Sequence, residues 1–207
     1  MVSGIGPAAV LRQHNITVLA NLPGVGQGLV DHVLVPLTWR VNLEMPDTTS
    51  AASVSAFDNN RPATGPLTNP GGDYAGVEKI PEAFRANWSA ETVAALDALP
   101  EDWPEVEYLV MPFAVTPGTV PGQTYASLLF VLQTPQSVGN VTITSASMRD
   151  APLINPNWLT AQADLDVMLA SFRRVREMAA SSAMADVIID EFLPGPSYQT
   201  DEQILVR

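Results

Sequence analysis

Three apolar runs follow one another with only short, punctuated gaps between them: Val106 to Val115, Tyr125 to Gln133 and Asn140 to Ser145. Gly118, Pro121 and Gly122 mark the first gap, and Pro135 to Gly139 the second. The runs are rich in Val, Leu, Phe, Tyr and Thr, which suits strands. Gaps this short hold no crossover helix, so consecutive strands must run antiparallel. An apolar sheet face needs cover, and a helix follows downstream. Between Ala161 and Ala180, Leu165, Met168, Leu169, Phe172 and Val175 recur at helical spacing. The expected class is α+β, an antiparallel sheet flanked by helices.

Upstream, Pro7 to His14 reads as a short helix with Pro in its first turn and Asn15 closing it in a left-handed conformation. Ile16 to Leu22 and Val33 to Val41 read as strands. Pro36 interrupts the second, which places it at a sheet edge or a bulge. Residues 42 to 73 are rich in Pro, Gly, Ser, Thr and Asn and read mostly as loop, a length that usually serves function. Ala90 to Leu99 reads as a helix capped by Ser89 and stopped by Pro100, with Val93, Leu96 and Leu99 inward. The prolines of "DAPLINPNWL" keep that stretch extended. Thr200 caps a last helical start at "TDEQILV".

Charge narrows the function classes. One lysine and nine arginines face 22 acidic residues, for a net charge of −12. Binding to nucleic acid or to an anionic membrane surface needs clustered basic residues, so neither is expected. No apolar run approaches the roughly 20 residues that span a bilayer. There are no cysteines, and only His14 and His32 are available to a metal, so no metal site is expected. Asn15, Asn87 and Asn140 each open an N-glycosylation sequon, which hints at a secreted parent, although the residues after Met1 do not read as a signal peptide.

Catalytic motifs are scarce in the sequence. There is no G-x-S-x-G and no P-loop. Glu101-Asp102, Glu105/Glu107 and Asp164/Asp166 are paired acids that read as surface decoration. Trp103, Trp158, Tyr108, Phe113 and Tyr125 read as core, with pocket lining as the alternative. Arg173, Arg174 and Arg176 read as a solvated helix end that suits the helix dipole. The glycine-rich "LPGVGQGLVDH", Leu22 to His32, departs from the dinucleotide fingerprint. Its third glycine comes one residue early, and a strand follows where a helix N-terminus is needed to meet a pyrophosphate. His32 reads as structural, with acid–base work as the alternative.

At this point a resemblance enters. "SGIGPAAVLRQHNITVLANLPGVGQGLVDH" is similar to the middle signature of the glucose-methanol-choline (GMC) oxidoreductases, through Ser3-Gly4-Ile5-Gly6-Pro7, Leu11, Leu22-Pro23-Gly24-Val25-Gly26, Leu29 and Asp31-His32. "GPLTNPGGDYAGV", "DWPEVEYLVMPF" and "TPQSVGNVTITSASMRDAPLINPNWL" resemble later segments of that family, so the likeness spans nearly the whole chain. It departs at Gly28, where the family carries Asn, and at Met148-Arg149-Asp150 in place of an Asp-Pro.

The resemblance implies an internal stretch of an FAD-dependent oxidoreductase that passes hydride from a small-molecule alcohol to flavin. Residues 1–40 would be the edge of the FAD-binding domain, 41–180 the substrate-binding domain, and 181–207 a return toward the FAD domain. Gly24, Gly26, Asp31 and His32 are the expected cofactor-side residues. The family's G-x-G-x-x-G loop and active-site histidine match no residue here, so no catalytic residue is assigned and the chain alone is expected to be inactive. The alternative is a non-catalytic ligand-binding or remnant module.

Overall fold

The computed structural model describes residues 1–44, 48, 50–69, 71–72 and 74–205. In chain order these form β1 (Ile5–Gly6), α1 (Ala8–Gln13), β2 (Ala20–Asn21), β3 (Gln27–Leu29), β4 (Leu34–Val41), α2 (Ala51–Asn59) and β5 (Tyr74–Glu78). Then come α3 (Ala90–Asp97), β6 (Val106–Met111), β7 (Tyr125–Leu132), β8 (Gly139–Thr142), β9 (Leu153–Asn155), α4 (Gln162–Ala179), β10 (Ile188–Leu193) and α5 (Asp201–Ile204). The mixture of helices and antiparallel sheets is the class expected.

The chain divides into two compact units that do not follow sequence order. One holds Met1–Val33, Ser89–Ala98 and Pro135–Leu165, and the other Leu34–Trp88, Leu99–Thr134 and Asp166–Arg207. Residues 89–98 and 135–165, read from sequence as part of the 41–180 block, thus pack with the N-terminal unit.

The second unit is built on a five-stranded antiparallel sheet of order β10-β4-β7-β6-β5. β7 lies at its centre, and "YASLLFVL" is buried almost throughout, with Phe130 fully enclosed. Complete burial of such a ring contributes about 1.5–3 kcal/mol. Pro36 sits within β4, opposite Leu129 of β7, but β10 pairs only with Thr38 to Val41. Pro36 therefore meets an open edge on one side, where its missing N–H leaves no ladder bond unmade.

The third run departs from expectation. β8 does not extend this sheet, because β7 already has β4 on one edge and β6 on the other. β8 instead joins a three-stranded sheet of order β3-β8-β9 in the first unit. Asp164 anchors the chain on its way there, accepting the Gln136 N–H at 2.7 Å and the Ser137 N–H at 2.8 Å. Ser137 Oγ in turn accepts the N–H groups of Thr160 and Ala161 just before α4.

Within the first unit, α1 runs from a Pro7 cap to a His14 cap, and Asn15 takes φ 57°. The strand expected over Ile16–Leu22 shrinks to β2, paired in parallel with β1. In α3, Ser89 Oγ accepts the Thr92 N–H at 3.0 Å. Its buried residues are Thr92 and Leu96, and Val93 is exposed, so the inward face is turned by one residue from the one expected.

The loop reading of residues 42–73 needs correction over its middle. Ala51–Asn59 is helical, with Ser50 Oγ accepting the Ser53 N–H. Only Ser53 is buried, so the helix leaves no apolar stripe in the sequence. The parts of that reading at 45–47, 49, 70 and 73 lie outside the described residues.

Two acids expected at the surface are buried. Glu105 is 2% exposed; its Oε2 accepts the Ile80 N–H at 2.8 Å, and both of its oxygens meet Arg85. Asp164 is also 2% exposed. The arginines of α4 are ion-pair ties: Arg173 to Asp201, Arg174 to Glu78 and Glu177, and Arg176 to Glu191 through both carboxylate oxygens. Arg176 also binds the carbonyls of Gly195 and Tyr198. Glu177 lies on α4 itself, three positions from Arg174; the other three acids reach in from other elements and are absent from any local pattern.

Candidate functional site

One cavity, whose described lining residues all belong to the second unit, lies where the chain passes from β6 to β7. Pro112 follows the last residue of β6, and seven residues from Pro112 to Thr124 line one wall. Two glycines carry the turn, Gly118 at φ +87° and Gly122 at φ +81°, and open space surrounds the position of a Cβ at each. Side chains with a Cβ rarely adopt that backbone. Pro66, Asn69, Gly71 and Thr48 also line it. The cavity volume is about 560 Å³, within the range of small-molecule sites.

The wall is held from beneath by a buried hydroxyl. Ser127 Oγ donates to the Phe113 carbonyl at 3.0 Å and accepts the Val115 N–H at 3.2 Å. Its single proton is then used, so at its 2.9 Å contact with Thr38 Oγ1 the threonine donates. Both hydroxyls are fully buried on neighbouring strands. The Phe113 ring, in turn, lies 3.3 Å from where a Cβ on Gly71 would be. Gly71, at φ +97°, lets its own segment close on that ring.

Tyr125 braces the other end of the wall. Its hydroxyl accepts the Val120 N–H at 3.1 Å and donates to Gln123 Oε1 at 2.9 Å. Its ring packs edge-on against Phe192, with centroids 4.9 Å apart. Thr124 Oγ1 donates to the Val41 carbonyl at 2.6 Å, fastening the start of β7 to β4. Phe113, Ala114, Pro66, Pro112 and the Tyr125 ring are the apolar part of the lining, and Thr48, Thr116, Thr119, Thr124, Gln123 and Asn69 the polar part. Among the described residues, no acidic or basic side chain lines it. Such a surface can bind and orient a small molecule; its described residues include no group that would take or give a proton near neutral pH.

Of the aromatic residues singled out from sequence, Phe113 and Tyr125 line the cavity, Tyr108 is core, and Trp103 and Trp158 are exposed. The Tyr108 hydroxyl donates to Glu78 Oε1 at 2.9 Å. Burial first, and then Glu78, push its ionisation far above the usual tyrosine range. Arg174 is held more firmly protonated still by its hydrogen bond to the same Glu78. Sequence reasoning missed Gln123, Thr116 and the Thr38–Ser127 pair. The available signals were the twin Pro-Gly steps of "TPGTVPGQ" and two hydroxyls inside otherwise apolar strands.

The glycine-rich turn belongs to the first unit. Gly26, at φ +82°, lies under the backbone of β8: a Cβ there would stand 2.2 Å from the Val141 carbonyl oxygen. The Val141 N–H donates to the Gly26 carbonyl at 2.7 Å. A Cβ on Gly24 or Gly28 would meet nothing within 4 Å. Asp31 and His32 are both exposed. Asn15 and Asn87 are exposed, and Asn140 is half-buried on β8. Among the described residues no three His, Asp or Glu side chains gather as metal ligands would, and no helix is long and apolar enough to cross a membrane.

Comparison with known proteins adds the family context. A family model described as GMC oxidoreductase matches residues 135–205. The chain is 55% identical to a glucose-methanol-choline family oxidoreductase, mfmG, of Annulohypoxylon moriforme, over 99% of the chain and 35% of that protein. It is 42% identical to patulin synthase of Penicillium expansum, again over 99% of the chain and 35% of the relative. The chain thus spans about a third of the length of these curated relatives. Among solved structures, a formate oxidase superposes with a TM-score of 0.83 at 25% identity, covering 98% of this chain and 38% of that one. A fungal aryl-alcohol oxidase superposes at 0.70 and 24% identity, over 97% of this chain and 39% of that one.

Proposed function

The chain belongs to the glucose-methanol-choline oxidoreductase family, and from that premise we propose that it supplies the substrate-facing sheet of an FAD-dependent enzyme that oxidises a small-molecule alcohol. The observation that carries this reading is the partly aromatic cavity at the β6–β7 connection, whose described lining is uncharged. The redox chemistry would be supplied by bound FAD, as hydride acceptor. The residues of this chain bind and orient the alcohol: Phe113 and Tyr125 offer ring surface, and the threonines and Gln123 offer hydrogen bonds.

Residues 1–40 would border the flavin, residues 41–180 would form most of the substrate domain, and residues 181–207 would lead back. Gly24, Gly26, Asp31 and His32 would meet the cofactor side. The donor set suits such a role. Open backbone at Gly24 permits close approach, Asp31 can accept from a sugar hydroxyl, and His32 can donate to an anionic oxygen. Gly26 would act by seating the turn against Val141.

The 207 residues contain no G-x-G-x-x-G loop to hold a pyrophosphate. The purified chain is therefore expected to be colourless and to leave alcohols unoxidised. A stable flavin spectrum together with alcohol turnover by residues 1–207 would overturn this.

One observation favours a second reading, a ligand-binding module without redox chemistry: the described lining residues of the cavity all belong to one unit. Saturable alcohol binding by flavin-free chain, with no gain in affinity on adding FAD, would favour it. Asn15, Asn87 and Asn140 are the proposed glycan acceptors, checked by the mass change on enzymatic deglycosylation of secreted protein.

A further inference from the structure

A separate hollow of about 390 Å³ lies within the second unit, lined by α4, the start of α5 and the stretch from Ala83 to Trp88. Asp166, Leu169 and Arg173 are three and four positions apart, so one stripe of α4 supplies them. Asp201, the first residue of α5, joins them and is ion-paired to Arg173. Phe84 and Trp88 bring ring surface from the other stretch. The Trp88 ring is pinned: the Arg85 guanidinium lies 4.6 Å from its centroid, and Arg85 is itself held by the buried Glu105. The hollow thus sets apolar rings beside carboxylates and a guanidinium.

Asn87, which opens the sequon Asn87-Trp88-Ser89, is part of the same wall. It is exposed, and its side chain makes no hydrogen bond among the described residues. The other two sequons differ. Asn15 closes α1, Asn140 lies on the middle strand of the β3-β8-β9 sheet, and neither lines this hollow.

We propose that this hollow seats the first N-acetylglucosamine of a glycan carried on Asn87. The inference rests on the reading of Asn87 as an acceptor and adds where the sugar lies and what it does for the fold. In the transfer, Asn87 Nδ2 bonds to C1 of the sugar, and the bond from C1 to the diphosphate of a lipid-linked oligosaccharide donor breaks. The lipid diphosphate leaves with the bonding electron pair, Nδ2 gives up one proton, and nothing is oxidised or reduced. A pyranose has an apolar C–H face and a rim of hydroxyls. Phe84 and Trp88 match the face; Asp166, Arg173 and Asp201 match the rim. The volume lies at the lower end of small-molecule sites, which suits one sugar ring. Tethered to the wall, the sugar meets the hollow at an effective concentration of about millimolar or more, so weak contacts suffice. A group that binds only the folded chain stabilises it.

The test uses the full chain with Thr17→Ala and Thr142→Val, which remove the other two sequons without touching Asn15 or Asn140. Ser89 is left alone because it caps α3. One batch is secreted from yeast and trimmed by an endoglycosidase to a single sugar; the other is made in bacteria and carries none. Peptide mass mapping should find the sugar on Asn87, and the trimmed chain should melt about 2–4 °C above the bare one. In Trp88→Leu, which keeps the sequon, that gap should fall below about 1 °C. Arg173→Ala removes a polar part of the wall and should at least halve the gap, which decides the matter if Trp88→Leu does not fold. A modified Asn87 with no gap, or a gap undiminished in either variant, overturns the seat and leaves the acceptor reading standing. An unmodified Asn87 in the secreted chain overturns both.

Discussion

Arg85 Nη2 donates to both carboxylate oxygens of Glu105, at 3.0 and 2.8 Å, and Arg85 Nε donates to the Ile80 carbonyl at 2.7 Å. The Ile80 N–H closes the figure on Glu105 Oε2. One buried carboxylate thus ties the segment after β5 to the start of β6. Removing one partner of a buried pair leaves an uncompensated charge and costs about 3–5 kcal/mol. Glu105→Ala should therefore lower stability by that amount in urea unfolding. Arg173→Ala, which breaks an exposed pair with Asp201, should cost less than about 1 kcal/mol. Equal losses would show that burial does not set the value of these ties.

The three glycines of "GVGQG" should respond unequally to alanine. At Gly26 a methyl group would stand 2.2 Å from the Val141 oxygen on a left-handed backbone, so β3 and β8 must part. The strain alone is about 1–2 kcal/mol, and the clash adds to it. Gly28→Ala, left-handed but unobstructed, should show only the strain. Gly24→Ala meets neither penalty and should be nearly silent. Thermal unfolding of the three variants ranks them directly.

Asp164 accepts two backbone N–H groups in a site that excludes water. A hydrogen bond to a charged group contributes about 1.5–3 kcal/mol, and an unmet buried donor adds a penalty. Asp164→Ala should destabilise by about 3 kcal/mol or more. Hydrogen exchange at Gln136 and Ser137 should quicken even where the global fold survives. Unchanged protection at those two amides would remove Asp164 from its anchoring role.

Tyr108 predicts an alkaline limit. Burial and Glu78 keep its proton on in the folded chain, whereas an unfolded tyrosine ionises near pH 10. The folded pKa is raised, so this contribution to stability is fully present below pH 10 and is lost as pH climbs above it. The loss runs at about 1.4 kcal/mol per pH unit. Between pH 9 and 11.5 the urea midpoint of the parent chain should fall more steeply than that of Tyr108→Phe. Parallel curves would contradict it.

Much of the local structure was legible in the residues. β6 pairs with the next strand, β7, across one glycine- and proline-marked connection, and the Ser89 and Thr200 caps, the left-handed Asn15 and the stripe of α4 all depend on neighbours a few positions away. So does the family likeness, which is carried by short fixed strings such as "SGIGP" and "LPGVG". What stayed hidden depends on residues far apart in the chain. β8 left the main sheet because both edges of β7 were filled by strands from elsewhere. Glu105 and Asp164 read as surface acids because their partners, Arg85 and the Gln136–Ser137 backbone, lie 20 to 28 positions away. The cavity too is a product of assembly. Ser127 and Thr38 are unremarkable hydroxyls until two strands place them 2.9 Å apart beneath its wall. Local sequence sets which elements form; long-range pairing, which closes only when the sheet does, sets which polar groups end up inside and what they hold in place.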